Sequence, residues 1–157
     1  MKTLVLSFAA FLISFHAVAT PTAPIPINPD PKTTPGEFCE QGDKDFQDFR
    51  YKEKMAYCKR NVSKGLKNHI YEMYHIPKNC HGSYTIDHFV PLALGGNNAL
   101  ENLWPEHKLV KATRQEMEQD LYNQVSEGTM SSEEAVKILV QEKMKLVLDL
   151  STVEGCG

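Results

Sequence analysis

The chain has 157 residues and a formal net charge of −3, which favours a single small domain and gives no support for a generally basic nucleic-acid-binding protein. The charge is uneven, because residues 50–67 carry seven basic side chains against one acid, Glu53. Such a run could form a local face for a phosphate backbone, or it could be an ordinary solvated surface.

Residues 1–19 have the pattern of a secretory signal peptide. Lys2 supplies the positive start, an apolar run follows, and Ala17-Val18-Ala19 has the small-x-small form of a cleavage site. The apolar run is too short to cross a bilayer as a helix, which needs ~20 residues. The sequence therefore predicts cleavage after Ala19 and a secreted or periplasmic protein without membrane contact after cleavage; an uncleaved anchor is the alternative.

Residues 20–36 contain six prolines and few apolar side chains. This composition favours an extended chain that cannot build a core. We therefore expect a proline-rich tether there, followed by one folded domain over residues 37–157, which is long enough to bury a core.

Four cysteines lie in the predicted domain: Cys39, Cys58, Cys80 and Cys156. An even number behind a signal peptide indicates two disulfides formed in an oxidising compartment. Three pairings are possible, and the sequence favours none of them. The competing interpretation is a structural zinc site, which the lack of any Cys-x-x-Cys pair in the sequence disfavours.

The first part of the domain is expected to be helical. Residues 45–58 place apolar side chains at helical spacing, and Ser63 is a suitable N-cap for a second helix that reaches Tyr74. Pro77 then excludes further helix. Residues 84–86 alternate as a short strand does, and residues 102–104 form its partner across a glycine-rich turn.

Two helices are predicted to follow the hairpin. Pro105 suits the first turn of a long helix that buries Leu109 and ends before Gly128. Ser131 with Glu134 forms a capping box for a last helix that ends at about Leu150. The expected fold class is α+β, mostly helical, with a short two-stranded hairpin packed on a long helix.

The most informative motif joins Asp87-His88 to Asn102 across a glycine turn. Hydrolysis of a phosphodiester needs an activated water and neutralisation of the developing negative charge. His88 can accept a proton near neutral pH, and Asp87 offers a hard oxygen ligand for a divalent cation. Neighbours in a strand point to opposite faces, so the two can share a site only where the strand ends or bulges. The Asn102 amide can hold the loop and orient His88.

Asp87-His88, Pro91, Gly95-Gly96 and Asn102-Leu103 resemble the core signature of HNH nucleases, members of the His-Me finger or ββα-metal superfamily. The similarity to HNH proteins covers residues 84–128. Two further runs, Arg60-Asn61-Val62-Ser63 and Asn102-Leu103-Trp104-Pro105-Glu106-His107, resemble a group of small secreted bacterial HNH-type proteins.

The resemblance implies a ββα-metal core and an endonuclease that hydrolyses phosphodiester bonds with little sequence specificity, leaving 5′-phosphates and 3′-hydroxyls. It implies catalytic roles for His88 and Asn102 and metal binding by Asp87. The implied cofactor is one divalent ion, with Mg²⁺ expected first and Mn²⁺ or Zn²⁺ as alternatives. The implied partner is nucleic acid, with DNA expected before RNA, and the residues themselves do not distinguish the two.

The second metal ligand departs from the family pattern. HNH proteins usually place a His or Asn on the helix nine residues after the asparagine that Asn102 matches, and here that position is Lys111. Because a charged lysine cannot coordinate a metal, we expect His107, one helical turn earlier, to replace it. Glu106 is a further choice.

Basic side chains near the motif are candidates for binding the nucleic-acid backbone. The candidates on the predicted helix could contact phosphates. Arg60, upstream of the hairpin, could do the same or could form an ion pair with a nearby acid. The candidates are Arg60, Lys108, Lys111 and Arg114.

Two competing functions stay open. The lysine at position 111 suits an HNH scaffold that has lost catalysis and serves as a nucleic-acid-binding or envelope interaction module. A metal-dependent phosphoesterase acting on small substrates is the other.

Overall fold

The computed structural model describes residues 28–145 and Cys156. The predicted signal peptide, the first part of the predicted tether and the end of the last predicted helix lie outside these residues. Within them, no helix is both long and apolar enough to cross a membrane. The architecture is α+β, as predicted, and its two antiparallel sheets have two strands each.

The first sheet is a hairpin of β1 (Phe46–Arg50) and β2 (Met55–Cys58). The helix predicted over residues 45–58 is therefore wrong. Tyr51 and Lys54 both adopt positive φ, at 59° and 54°, which reverses the chain between the strands. The disulfide from Cys39 then ties the end of β2 to the preceding segment. Apolar residues spaced for a helix also fit a strand in so short a run, because length is what separates the two patterns.

Helix α1 (Lys64–Met73) is confirmed with its predicted cap. The Ser63 hydroxyl accepts a hydrogen bond from Leu66 N at 3.1 Å, and Tyr74 ends the helix. Ile70 is fully buried against the second sheet, where it packs in one cluster with Trp104.

The second sheet pairs β3 (Tyr84–His88) with β4 (Leu103–His107). The hairpin is confirmed, but β4 continues through Pro105, where a helix was predicted to begin. A two-stranded sheet leaves one side of each strand outside the ladder, so a proline is tolerated there. In the register, Asp87 lies opposite Trp104 and His88 opposite Leu103.

The predicted long helix is two helices, α2 (Lys108–Ala112) and α3 (Gln115–Glu127). They are separated at Thr113 and Arg114, and Leu109, predicted to be buried, is 49% exposed. Gly128 ends α3 with φ 76°, as predicted.

Helix α4 (Ser132–Lys145) follows, and the Ser131 hydroxyl accepts a hydrogen bond from Glu134 N at 3.1 Å, which is one of the two bonds of the predicted capping box. The helix packs on α3 through a second apolar cluster in which Leu121, Val125 and Leu139 are buried. The chain between these elements includes three short 3₁₀ helices: Lys78–Ser83, Leu92–Leu94 and Leu100–Asn102.

Part of the predicted tether belongs to the packed domain. Thr34 is fully buried, and its hydroxyl hydrogen-bonds with the Tyr74 hydroxyl at 2.6 Å and donates to Leu103 O at 3.1 Å. Asn28 also donates to Met144 O at 3.0 Å. Proline-rich chain packs here because its polar groups find partners on α1, β4 and α4, so the packed region extends back to Asn28 instead of beginning at residue 37.

The four cysteines form two disulfides, Cys39–Cys58 and Cys80–Cys156. This pairing is one of the three that the sequence left open, and it removes the thiols from a structural zinc site. Disulfides of this kind persist in oxidising compartments, which fits the predicted export from the cytoplasm.

Candidate active site

The loop between β3 and β4 is held in shape by the Asn102 side chain. Its Oδ1 accepts a hydrogen bond from Val90 N at 2.8 Å, and its Nδ2 donates to Val90 O and to Asn97 O, each at 2.9 Å. Asn102 is fully buried, so these bonds are not exchanged with water. The geometry gives Asn102 a positioning role, since it fixes the chain directly after His88.

The paired glycines serve this loop in different ways. Gly95 has φ 88°, a left-handed conformation that side chains rarely adopt. Gly96 lies so close to the opposite side of the loop that an added Cβ would overlap Val90 O and come within 2.8 Å of Asn102 Nδ2. The loop therefore requires glycine at both positions.

Substitution of Gly96 by alanine should destabilise the fold by about 3 kcal/mol or more, because backbone atoms must move to make room for the methyl group. Urea unfolding followed by the fluorescence of the buried Trp104 would measure the change. Gly42→Ala is the matched control, since an added Cβ there meets nothing within 4 Å. Equal stabilities of the two variants would contradict the close packing of the loop.

A chain of hydrogen bonds sets the orientation of His88. Its Nε2 lies 3.1 Å from Asn98 Oδ1, and Asn98 is itself oriented by donating through Nδ2 to Asp45 Oδ2 at 3.0 Å and to Lys59 O at 2.8 Å. Because the amide oxygen can only accept, Nε2 carries the hydrogen and Nδ1 is the basic nitrogen of the neutral ring.

The same surroundings keep the His88 imidazole neutral. Burial lowers the pKa of His88 to about 4, with help from the charges of Arg60 and Lys143, and the hydrogen bond to Asn98 and the charge of Asp87 oppose this only in part. His88 is 3% exposed. At neutral pH the ring is therefore unprotonated, and the same lowering of the pKa makes it a weaker base than an exposed histidine.

Two lysines bind Asp87, one at each carboxylate oxygen. Lys111 Nζ lies 2.6 Å from Oδ1, and Lys143 Nζ lies 3.4 Å from Oδ2. Burial alone would raise the pKa of Asp87, but the charges of Lys143 and Lys111 and the hydrogen bond from Lys111 outweigh it and lower the pKa to about 2. Asp87 is therefore a carboxylate at any pH near neutrality.

Asp87 belongs to a larger cluster of alternating charges. Arg114 forms an ion pair with the fully buried Glu106, which also lies 3.6 Å from Lys111 Nζ. Glu118 Oε1 lies 3.8 Å from Arg114 Nε and 4.0 Å from Lys143 Nζ. The cluster thus joins three acids to three bases and is neutral as a whole.

A cavity of about 170 Å³ brings together the predicted base, His88, and the predicted metal ligand, Asp87. Asp87 and His88 both line it, although they are neighbours in sequence, because β3 ends at His88 and the chain turns away at Pro91. The polar side chains of its wall include Arg60, Asp87, His88, Lys111, Glu118 and Tyr122. Arg60 is exposed, and its Nη2 donates to Ile86 O at 2.8 Å.

The structure does not bring His107 to Asp87, where a metal ligand was expected. His107 lies opposite Tyr84 in the register, three residues along the hairpin from the Asp87–Trp104 pair and on the other face of β4 from Trp104. Its Nδ1 accepts a hydrogen bond from Leu109 N at 3.3 Å, which caps α2. The prediction assumed a helix over residues 105–111, and the extension of β4 removes the one-turn spacing on which it depended.

The predicted nucleic-acid-binding residues fall into two groups. Arg60 and Lys111 line the cavity. Arg114 is 2% exposed and is held by Glu106 and Glu118, so it cannot reach a nucleic acid. Lys108 is exposed, but its Nζ donates to Gly82 O at 2.6 Å, away from the cavity wall.

Sequence reasoning missed Asn98, Glu118 and Lys143. Glu118 lies seven residues after Lys111, a helical spacing that could have placed both on one face despite the break at Arg114. Asn98 follows the paired glycines, where the sequence predicts only a turn. Lys143 lies 55 residues from its partner His88 in the chain, and no local pattern indicates that contact.

The donor set around Asp87 does not fit a divalent cation. Each carboxylate oxygen faces an ammonium group, and a metal ion would add two positive charges to a buried cluster that is already neutral. Among residues 28–145 and Cys156, the one group of three potential ligand atoms close enough for a metal is Cys39, Asp43 and Cys58, and its two sulfurs are bonded to each other.

A wider depression of about 730 Å³ is lined in part by Asn98. Four acids line it against one lysine, so its charge repels phosphate. The acids are Glu37, Glu40, Asp43 and Asp45, and the lysine is Lys44. The smaller cavity at His88 is therefore the better candidate for phosphate chemistry.

Comparison with known proteins does not identify a family. No family model, curated protein or solved structure matches this chain. The function must therefore be argued from the residues of the cavity.

Proposed function

We propose that this protein is an HNH-type phosphodiesterase that cleaves nucleic acid by hydrolysis in an oxidising compartment outside the cytoplasm. The observation that carries the proposal is the placement of His88, whose Nε2 is held by Asn98 and which lines one cavity with Asp87, Arg60 and Lys111. A base next to fixed positive charges is what phosphodiester hydrolysis requires.

Arg60 and Lys111 are the groups that would hold the scissile phosphate. Both line the cavity, and Lys111 is 40% exposed, so its ammonium can meet a ligand at the cavity mouth. A cavity of about 170 Å³ admits a phosphate group and not a base pair. Recognition through the backbone carries no sequence information, so we expect cleavage with little sequence preference and, following the HNH resemblance, DNA as the first substrate to try.

In the proposed reaction, a water molecule attacks phosphorus and His88 Nδ1 takes its proton. The bond from phosphorus to the leaving 3′ oxygen breaks, and that oxygen takes a proton from solvent, which leaves a 5′-phosphate and a 3′-hydroxyl. His88 then releases its proton to bulk water. Arg60 and Lys111 offset the negative charge that grows on the phosphate oxygens.

The test is digestion of supercoiled plasmid, single-stranded DNA and RNA by the purified protein, beside a His88→Gln preparation made in parallel. Cleavage by the wild-type protein that the variant lacks supports the proposal. Equal cleavage by both preparations indicates a contaminating nuclease and contradicts the proposal.

A second candidate is a scaffold that binds nucleic acid without cutting it. The observation in its favour is that Lys111 donates a hydrogen bond to the Asp87 carboxylate. Lys111 stands at the sequence position where HNH proteins usually carry a metal ligand. Retention of DNA in a binding assay without cleavage, in the presence or absence of divalent ions, would favour this function over hydrolysis.

A further inference from the structure

The HNH resemblance implies that the Asp87 carboxylate binds a metal ion, yet two ammonium groups contact it in this structure. Lys143 Nζ donates to three oxygens, to His88 O at 2.6 Å, to Phe89 O at 3.3 Å and to Asp87 Oδ2 at 3.4 Å. Three acceptors match the three N–H groups of an ammonium ion. The side chain is fully buried, so this cation is a fixed part of the site.

Lys111 differs from Lys143 in exposure and in what surrounds it. Its Nζ contacts Asp87 Oδ1 at 2.6 Å from the open side of the cavity, and 40% of its side chain is exposed. A flexible four-carbon stem allows the ammonium to contact Asp87 and a bound phosphate oxygen in turn or together. Lys143 therefore supplies a permanent charge, and Lys111 supplies a charge that can follow the substrate.

The charge balance favours an anion over a second cation. The cluster of Asp87, Glu106, Glu118, Lys111, Arg114 and Lys143 sums to zero, and Arg60 on the cavity wall adds one positive charge. A divalent ion would raise this to three positive charges in a largely buried space, whereas a phosphodiester would bring it back to zero.

From these contacts we infer that the lysine pair takes the place of the divalent ion, so that the protein binds phosphodiesters and hydrolyses them without metal. The inference has two halves. The catalytic half, hydrolysis without metal, rests on the proposed function. The cation-site half, replacement of the divalent ion by two lysines, rests on the contacts alone. Lys111 replaces the ion at the phosphate, while Lys143 holds Asp87 and the carbonyl of His88 in place.

The catalytic half is tested by cleavage assays on metal-stripped protein. The rate should be unchanged within about 2-fold when EDTA is present or when Mg²⁺, Mn²⁺ or Zn²⁺ is added, and Lys111→His should lower the metal-free rate by roughly 100-fold. Hydrolysis that EDTA abolishes and a metal restores would overturn the inference while leaving the proposed function intact. Absence of hydrolysis under every condition would defeat the proposed function instead.

The cation-site half is tested by isothermal titration calorimetry with Mn²⁺ and Zn²⁺, which does not depend on activity. The wild-type protein should show no binding at this site, and Lys111→His should gain binding that a further Asp87→Asn change removes. Lys64→His, the same exchange at an exposed lysine of α1, is the control and should gain none. Binding to the wild-type protein that Asp87→Asn abolishes would overturn the inference whether or not the protein hydrolyses DNA.

Discussion

Replacement of His88 by glutamine should lower the rate of phosphodiester cleavage by roughly 10³-fold, because a positioned general base contributes about 10²–10⁴-fold. The glutamine amide can still donate to Asn98 Oδ1, so the chain of hydrogen bonds through Asn98 to Asp45 should survive. Initial rates on a fluorescent oligonucleotide would measure the loss. A reduction below 10-fold would assign the proton transfer to another group.

The acid side of the wild-type rate profile should reflect the buried state of His88. With a pKa of about 4 in the folded protein, the base stays unprotonated through the range in which an exposed histidine would lose activity. We therefore expect the rate to hold from neutral pH down to about 5 and to fall near 4. A fall centred on 6.5 would show that the imidazole is hydrated and would contradict the effect of burial on its pKa.

The same shift should affect stability. The folded-state pKa of His88 is lowered from 6.5 to about 4, so its contribution to stability is complete above pH 6.5 and is lost as the pH falls toward 4. The free energy of unfolding should fall by roughly 3 kcal/mol over this range, and the His88→Gln variant should lack this pH-dependent fall. Asp87 affects stability in a separate pH range. Because its pKa is lowered, its contribution to folding stability is lost only as the pH falls from 3.8 toward 2. Urea midpoints measured across these ranges separate the two groups.

The sequence was informative about the site where the chemistry is local. Asp87, His88 and Asn102 lie within 16 residues, and the glycine turn between them has few conformations, so their meeting in one loop could be predicted. The structure adds the physical reasons, which are the close approach of Gly96 to Val90 and the three bonds made by the Asn102 amide inside the loop.

The sequence was uninformative where contacts join distant segments. Asp45, which orients Asn98 and through it His88, is 53 residues from Asn98, and it begins the segment for which the sequence predicts a helix. The turn at Tyr51 and Lys54 contains no glycine, asparagine or proline, so no residue type that is typical of turns indicated a hairpin there. The contact between Lys111 and Asp87 likewise depends on how α2 packs against β4, and no local pattern in the sequence indicates that packing.

Substitution of Lys143 by methionine should cost about 4 kcal/mol of folding free energy, the second large effect that the structure predicts. Burial lowers the pKa of this lysine, and Asp87 and Glu118 oppose the shift. The methionine would fill a similar volume but would leave the Asp87 carboxylate and the His88 carbonyl without their buried donor. Penalties of this size arise when one member of a buried ion pair is removed, whereas an exposed pair contributes little.

Urea unfolding of matched variants would isolate that effect. Lys137→Met changes an exposed lysine of the same helix and should alter stability by less than about 0.5 kcal/mol. Adding Asp87→Asn to Lys143→Met should recover at least about 1 kcal/mol, because the second change removes the charge that the first leaves uncompensated. If Lys143→Met proves as mild as Lys137→Met, then Lys143 is not the fixed cation of the site, and Asp87 must be held by Lys111 alone.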